Sequence, residues 1–364
     1  MDASVMELVG YDSSFNKVAY IPFLNLQWKR RYYTYGQFSF QILAEDYDPN
    51  IKYVHSAQRP ELGIIERMET QETIKGHFVQ LSGRFIESVF NRQLTFPKIE
   101  GDYDVGTIYT IITWSDYKPD LYTFRKGTIT NSSTSLSFKW DKEEMGDAIY
   151  ESLKSLELSM RVTFDPDTKR LTFNIWKGLD RTQSQSKNGY AVFSDDSPMV
   201  STFSYIEDES DYKNAAMVLY EEPQEDAAED AEPVILRQNV TVGNTSTYGR
   251  RWIAVDADYE DTDETRRQQG IEGLQDSPLV QEAKLDVNQI GLFYLTDYDI
   301  GDKCQLVSTR YKKDFSARIT SVDEVWKQGK YEVKLGFGEQ SQTKYRKLKR
   351  YVRRHGKMHR FGWW

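Results

Sequence analysis

The 364-residue sequence predicts a mainly β fold of α+β type, on three observations. Aromatic residues make up 14% of the chain, and such side chains fit a pleated, half-buried surface. Apolar and polar residues alternate with a period of two through the first third and the last ordered block. Few stretches change to the helical period of 3.6.

In chain order, "VAYIPFLNLQW" and "GQFSFQI" read as two strands. Leu24, Leu26 and Trp28 share one face, as do Phe38, Phe40 and Ile42. The turn "YTYG" puts Gly36 where a positive φ is cheap. "LGIIERMET" and "HFVQLSG" form the next strand pair, and a short helix is expected after them with Ser82 as its N-cap. A second helix is predicted over 141–157, capped by Asp141, with Met145, Ile149, Leu153 and Leu156 on one face. Asp165-Pro166-Asp167 then marks a hairpin between two alternating runs. Residues 221–232 hold seven acids and no base, which reads as a solvated loop; no regular ligand spacing supports calcium there. A further acidic cluster leads into a helix expected around 261–282. The block from Tyr298 to Gly338 alternates almost throughout, with turns near Lys312-Lys313 and at Lys327–Lys330, and suggests a small antiparallel barrel.

The organisation that follows has five parts. Residues 1–95 are strand-rich, 96–185 form an α+β insertion, 223–284 hold the acidic loop, a strand and a helix, 285–340 are the closing strands, and 341–364 are a basic-aromatic tail.

Composition excludes several classes. Mean hydropathy is -0.67, and no apolar run approaches the roughly 18 residues of a membrane span. The start "MDASVMELVG" lacks a secretory pattern, so folding in a cytoplasm is expected. One cysteine, Cys304, rules out an internal disulfide. His355 and His359 are spaced i, i+4, but Gly356 lies between them and no carboxylate follows, so neither metal nor cofactor is expected. There is no G-x-S-x-G elbow, Walker loop or H-E-x-x-H motif, and a non-enzymatic protein is expected. Carboxylates and exposed aromatics leave a glycan-binding or glycan-hydrolysing role as the alternative, although no spacing singles out a catalytic pair.

Several segments, taken in order, resemble the hub proteins of siphophage tail tips, the N-terminal structural part of tail-associated lysins. "WKRRYYTYGQFSFQI" is similar to the family's basic-aromatic strand pair, and "LGIIERMET…HFVQLSGRFIESVFNRQL" to its following strands and helix. "FDPDTKRLTFNIWKGLDRT" supplies Gly178, Asp180, Arg181 and Thr182. "YKNAAMVLYEE", "RRWIAVDADYED" and "YDIGDKC…ARITSVDEVWKQGKYEVKLGFG" complete the series, which spans roughly residues 20–338. The resemblance implies two small antiparallel β-barrels related by a pseudo-repeat. The first spans 1–95 and is completed by strands from 186–222; the second spans 285–340. It also implies a homotrimer forming a pseudo-six-fold ring, with a distal tail protein ring, the tape-measure protein and other tail-tip or receptor-binding proteins as partners. DNA would pass only transiently through the lumen. The place implied is the virion tail tip, assembled in the host cytoplasm. Relatives that continue into hydrolase or receptor-binding modules differ from this chain, which ends 26 residues after Gly338; the short hubs are the nearer pattern.

The stretch "NLQWKRRYYTYGQFSFQI" interleaves bases and aromatics as nucleic-acid platforms do. Its period instead makes the aromatics core, leaving Lys29, Arg30 and Arg31 as charges at a rim or subunit interface. The tail lies outside the family pattern. It holds Lys344, Arg346, Lys347, Lys349, Arg350, Arg353, Arg354, Lys357 and Arg360, with Phe361, Trp363 and Trp364 at its end. These nine bases give it +9, so residues 1–339 carry -18 of the chain's net -9. Three readings stand: a solvated tail, a docking peptide anchored by its aromatics, and contact with lumenal DNA.

Overall fold

A computed structural model describes residues 3–74, 76–223, 234–275 and 277–338. The tail therefore lies outside the described residues, as does most of the acidic 221–232 segment.

The first part contains β1 (Val9–Tyr11), β2 (Lys17–Tyr20), β3 (Asn25–Arg31), β4 (Gln37–Leu43), β5 (Tyr53–His55), β6 (Leu62–Thr73) and β7 (Gly76–Phe85). The α+β part contains β8 (Ile99–Asp104), α1 (Thr107–Ile111), β9 (Phe124–Ile129), β10 (Ser135–Trp140), α2 (Met145–Lys154), β11 (Ser159–Asp165) and β12 (Arg170–Trp176). Then come β13 (Val192–Ser194), β14 (Val200–Asp208), β15 (Ala215–Glu222), β16 (Val234–Thr241), α3 (Thr245–Tyr248), β17 (Trp252–Asp256) and α4 (Asp263–Gln275). The chain closes with β18 (Val280–Val287), β19 (Lys303–Ser308), β20 (Lys313–Lys327) and β21 (Lys330–Gly338).

One large sheet runs β14-β18-β21-β20-β3-β4-β7-β6-β5-β1-β2, with β19 and β13 branching from β20. The 15-residue β20 is its spine. Its first residues pair with β19, and after a bulge between Ile319 and Ser321 the rest pairs with β21 on one side and β3 on the other. The sheet curls around two separate cores. One holds Leu26, Trp28, Phe38, Phe40, Ile42, Val79 and Leu81; the other holds Phe193, Leu285, Leu306, Ile319, Leu335 and Phe337.

Two closed barrels were expected, but the backbone ladder closes neither half among the described strands. β14 pairs only with β18, and side chains cross the gap to the start of β20: Tyr205 packs on Phe315 with ring centres 4.9 Å apart, and Lys313 binds Glu207. Strands from 186–222 were expected to complete the first half. Among the described strands β13 pairs with β19, β14 with β18, and β15 with β16 and β17, and none of these pairs with a strand of residues 1–95.

Local expectations fared unevenly for physical reasons. Leu26, Trp28, Phe38, Phe40 and Ile42 are buried as their period requires, whereas Leu24, before β3 begins, is exposed. Gly36 does not adopt a positive φ; it is needed for space, because a Cβ there would lie 2.3 Å from the Lys29 carbonyl oxygen and 2.6 Å from the Phe85 ring. Ser82 caps nothing. It pairs within β7, and the turn that follows is a 3₁₀ segment, Ile86–Arg92. Helix α2 buries Met145, Ile149 and Leu153, but Asp141 is not its cap. Asn91 reaches in from the 3₁₀ segment, its Oδ1 accepting from the Asp147 amide at 3.0 Å, so the orphan donor is met by a distant residue. Helix α4 covers Asp263–Gln275 and does not reach the expected 282, because the chain is already extended in β18 from Val280. Both hairpins of the closing block lie where predicted, and Gln328 and Gly329 take the two positive φ values of a type I′ turn.

One core of 30 buried residues joins Trp140, Met145, Val162 and Phe173 of the α+β part to Tyr11, Tyr53, Leu62, Ile64 and Phe90 of the first part. The β16-β15-β17 sheet is a satellite whose small core, Ala216, Val218, Val240 and Leu274, lies under α4.

Candidate functional site: the charged joints between the bodies

Strand β3 carries the first joint. Trp28, Arg30 and Tyr32 have the same parity and all point inward, so Arg30 is buried rather than at the rim expected for it. Its guanidinium donates from Nε to Glu61 Oε1 at 2.6 Å and from Nη1 to Asp299 Oδ1 and Tyr294 Oη, each at 2.5 Å. Burial alone would make this guanidinium easier to deprotonate, but Asp299 and Glu61 overcome that and hold its pKa well above the ordinary value. Arg59 forms a second buried pair, a two-pronged contact with Glu324 of β20, whose Oε1 also accepts from Tyr331 Oη at 2.8 Å. Burial raises the Glu324 pKa despite Arg59, so the carboxylate depends on its partner to stay ionised. Arg31 is half-buried and bonds Asp323 at 2.5 Å. Lys29 is half-exposed and lines a shallow groove of about 280 Å³ with Gln37, Glu66 and Arg84. Of the three proposed interface charges, two thus bind acids of their own chain.

A second joint brings together motif residues far apart in sequence. Gly178 lies so close to Gly301 that a Cβ would sit 2.0 Å from the Gly301 carbonyl carbon and oxygen. Arg181 Nε donates to Asp302 Oδ2 at 2.5 Å, and Asp302 Oδ1 accepts from the Leu179 amide at 2.7 Å. Arg318 of β20 binds the Gly301 carbonyl and donates to Glu157 Oε2 at 2.9 Å. Tyr32 Oη donates to the Glu157 carbonyl at 3.0 Å, and burial pushes its pKa up to about 12. The end of the α+β part is thereby fastened to both halves of the sheet. A third contact ties together the strand ends inside the satellite, at the start of β15 and the turn before β17. The buried Asn214 side chain accepts from the Arg251 amide and donates to the Gly249 carbonyl, both at 2.8 Å.

Glu87, in the 3₁₀ segment, was not singled out by sequence and has no motif that would have flagged it. It is buried, its Oε1 accepts from the Val162 amide at 2.7 Å, and Oε2 has no partner. Burial pushes its pKa up to about 7.

His55 is buried with Nδ1 2.9 Å from the Glu61 carbonyl oxygen, and burial pulls its pKa down. Cys304 is buried and its thiol is pushed up by desolvation, so it is a poor nucleophile. Among the described residues no group of His, Cys, Asp and Glu is placed to hold a metal, and no helix is long and apolar enough to cross a membrane. The tail residues proposed as partner-binding, Lys344 to Trp364, and the His355/His359 pair lie outside the described residues.

Comparison with known proteins gives a family and a fold. The sequence matches the Siphovirus ReqiPepy6 Gp37-like protein family over residues 119–339. No curated protein matches it. Among solved structures, a tail protein from Neisseria meningitidis MC58 shares the fold at a TM-score of 0.60 and 12% identity, covering 92% of this chain and 96% of that one. The prophage MuSo2 43 kDa tail protein from Shewanella oneidensis aligns at 0.59 and 12%, covering 92% and 98%. Prophage tail protein gp18 from Listeria monocytogenes EGD-e aligns at 0.56 and 11%, covering 96% and 99%.

Proposed function

The chain belongs to the Siphovirus ReqiPepy6 Gp37-like family, and from that membership we propose that it is a structural, non-enzymatic protein of the phage tail, placed at the tail tip as its hub. The observation that carries the reading is the single sheet curled around two separate cores and locked by buried ion pairs. Such a body gives each chain two tube-like wall segments with a fixed angle between them. Three chains then supply six segments, enough to mate with a six-fold tail tube or distal tail ring on one face and to present three-fold symmetry on the other. Neighbouring chains would cover the sheet end at β2, which pairs with β1 alone among the described strands. The lumen of that ring would pass the tape-measure protein and DNA, with receptor-binding proteins on the outer face. The near end-to-end overlap with solved tail proteins supports a tail role.

Light scattering on the purified chain tests this. Three copies, or a single copy that becomes three on a distal tail ring, supports the proposal. A stable dimer that forms no ring contradicts it.

A further inference from the structure

Two stretches of the large sheet repeat one arrangement, β6-β7-β4-β3 in the first half and β20-β21-β18-β14 in the second. Each begins with a hairpin, whose last pair is Thr73 with Gly76 in one and Lys327 with Lys330 in the other. In each the leading strand first pairs with a short neighbour, Leu62–Ile64 with β5 and Lys313–Arg318 with β19. Each then breaks register at one place, between Ile65 and Arg67 and between Ile319 and Ser321. A single offset therefore carries Ile65, Arg67 and Thr73 onto Ile319, Ser321 and Lys327. Followed across the ladders, the same match carries Leu26 and Trp28 of β3 onto Phe203 and Tyr205 of β14.

The repeat is filled at one place and open at the other. Beyond its bulge, β20 pairs with β21 on one edge and with β3 on the other, Ser321 to Lys327 against Arg31 to Asn25. The matching stretch of β6, from Arg67 onward, pairs with β7 alone among the described strands. Burial follows the same line. Val322 and Trp326 of β20 are buried, whereas their counterparts Met68 and Glu72 are exposed, Met68 at 48%. β14, the counterpart of β3, likewise pairs with β18 alone among the described strands. Its packing on the start of β20 does not use the open edge. Tyr205 on Phe315 matches the Trp28 contact with Glu61, and β3 makes that contact while pairing with β20.

We propose that β6 of one copy pairs antiparallel with β14 of the next copy, in the register that β20 and β3 use within the chain. The inference rests on the three-copy ring proposed above. That register sets Gln71 opposite Ser204, Glu69 opposite Ile206 and Arg67 opposite Asp208, the last an opposite-charge pair. Main-chain bonds along the two edges supply the affinity, and the exposed edge of β6 is covered. Two different edges meeting make a head-to-tail contact, which closes into a ring when the rotation allows. The two repeated stretches of every copy then join one continuous ladder.

Gln71 and Ser204 are both exposed and Cys304 is buried, so cysteines placed at those two positions report on this contact. Directly opposite residues hold their Cβ atoms about 4.5–5.5 Å apart, near disulfide reach, and a step of two residues takes them beyond it. Gln71→Cys chains mixed with Ser204→Cys chains and assembled on the distal tail ring should form a linked dimer. The link should form at least tenfold faster than between Gln71→Cys and Ile206→Cys chains. The double variant Gln71→Cys/Ser204→Cys should give a covalent trimer. Amide exchange over 67–72 and 202–207 of the native chain should also slow at least tenfold on assembly, a reading that needs no variant. If light scattering counts three copies while no link forms, or the link to position 206 is as fast, or exchange is unchanged, this contact is overturned and the hub reading stands. A chain that gathers no further copies, alone or on the ring, overturns both.

Discussion

Replacing Glu87 with Gln should change how stability depends on pH. The carboxyl titrates at about 7 in the folded protein against 4.5 for the free group, because burial disfavours its charge. A raised folded pKa means that the native state binds the proton more tightly. Stability from this group is therefore full below pH 4.5, declines between 4.5 and about 7, and is absent above. A difference of about 2.5 pKa units is worth roughly 3 kcal/mol at 1.36 kcal/mol per unit. Glutamine keeps an oxygen for the Val162 amide, but its NH₂ would sit where Oε2 now lacks a partner, costing about 1 kcal/mol. Glu87→Gln should thus be slightly less stable than the native chain at pH 4.5 and more stable by roughly 2 kcal/mol at pH 8. Urea unfolding at several values between pH 4.5 and 8 measures both curves. The difference between them isolates Glu87 from other buried acids such as Asp302 and Glu324, whose pKa values are also raised by burial. If the two chains keep a constant difference across that range, the buried carboxyl is not titrating and the reasoning fails.

Other consequences are simpler. Arg59→Leu should cost about 3–5 kcal/mol by stranding Glu324, and Arg59→Leu/Glu324→Leu should recover much of it, as a thermal-melt cycle would show. Gly178→Ala should lower the melting temperature by several degrees, because its methyl group meets the Gly301 backbone; Gly189→Ala, whose Cβ would meet only the end of the Arg181 side chain at 3.8 Å, changes less. Trp28→Ala should cost roughly 3–5 kcal/mol in chemical denaturation, the usual loss for a large core aromatic. Zymography on Gram-positive cell walls should give no clearing, and a cleared band would favour the glycan-hydrolysing alternative.

The local parts of this fold were legible. Alternation located β3, β4, β11, β12, β20 and β21, and turn residues located the two hairpins of the closing block. Partners across sequence distance were not. Nothing in the spacing of 186–222 says that β13 joins β19, and a cap given by Asn91 to a helix beginning at Met145 leaves no local mark. Arg30 shows the same limit. A base between aromatics reads as a surface charge until Glu61 and Asp299, 31 and 269 residues away, are brought beside it. The motif residues fared better. Gly178, Arg181, Gly301 and Asp302 were read as separate signs of one family and prove to be two sides of one joint.

Imaging the purified 42.6 kDa chain by electron microscopy, alone and with the distal tail ring of the same phage, tests the hub assignment most directly. The account predicts a closed particle of three copies with six wall segments around a central channel. On the distal tail ring, a particle with any other copy number of this chain, or one whose two sheet halves do not both line the channel, would contradict it.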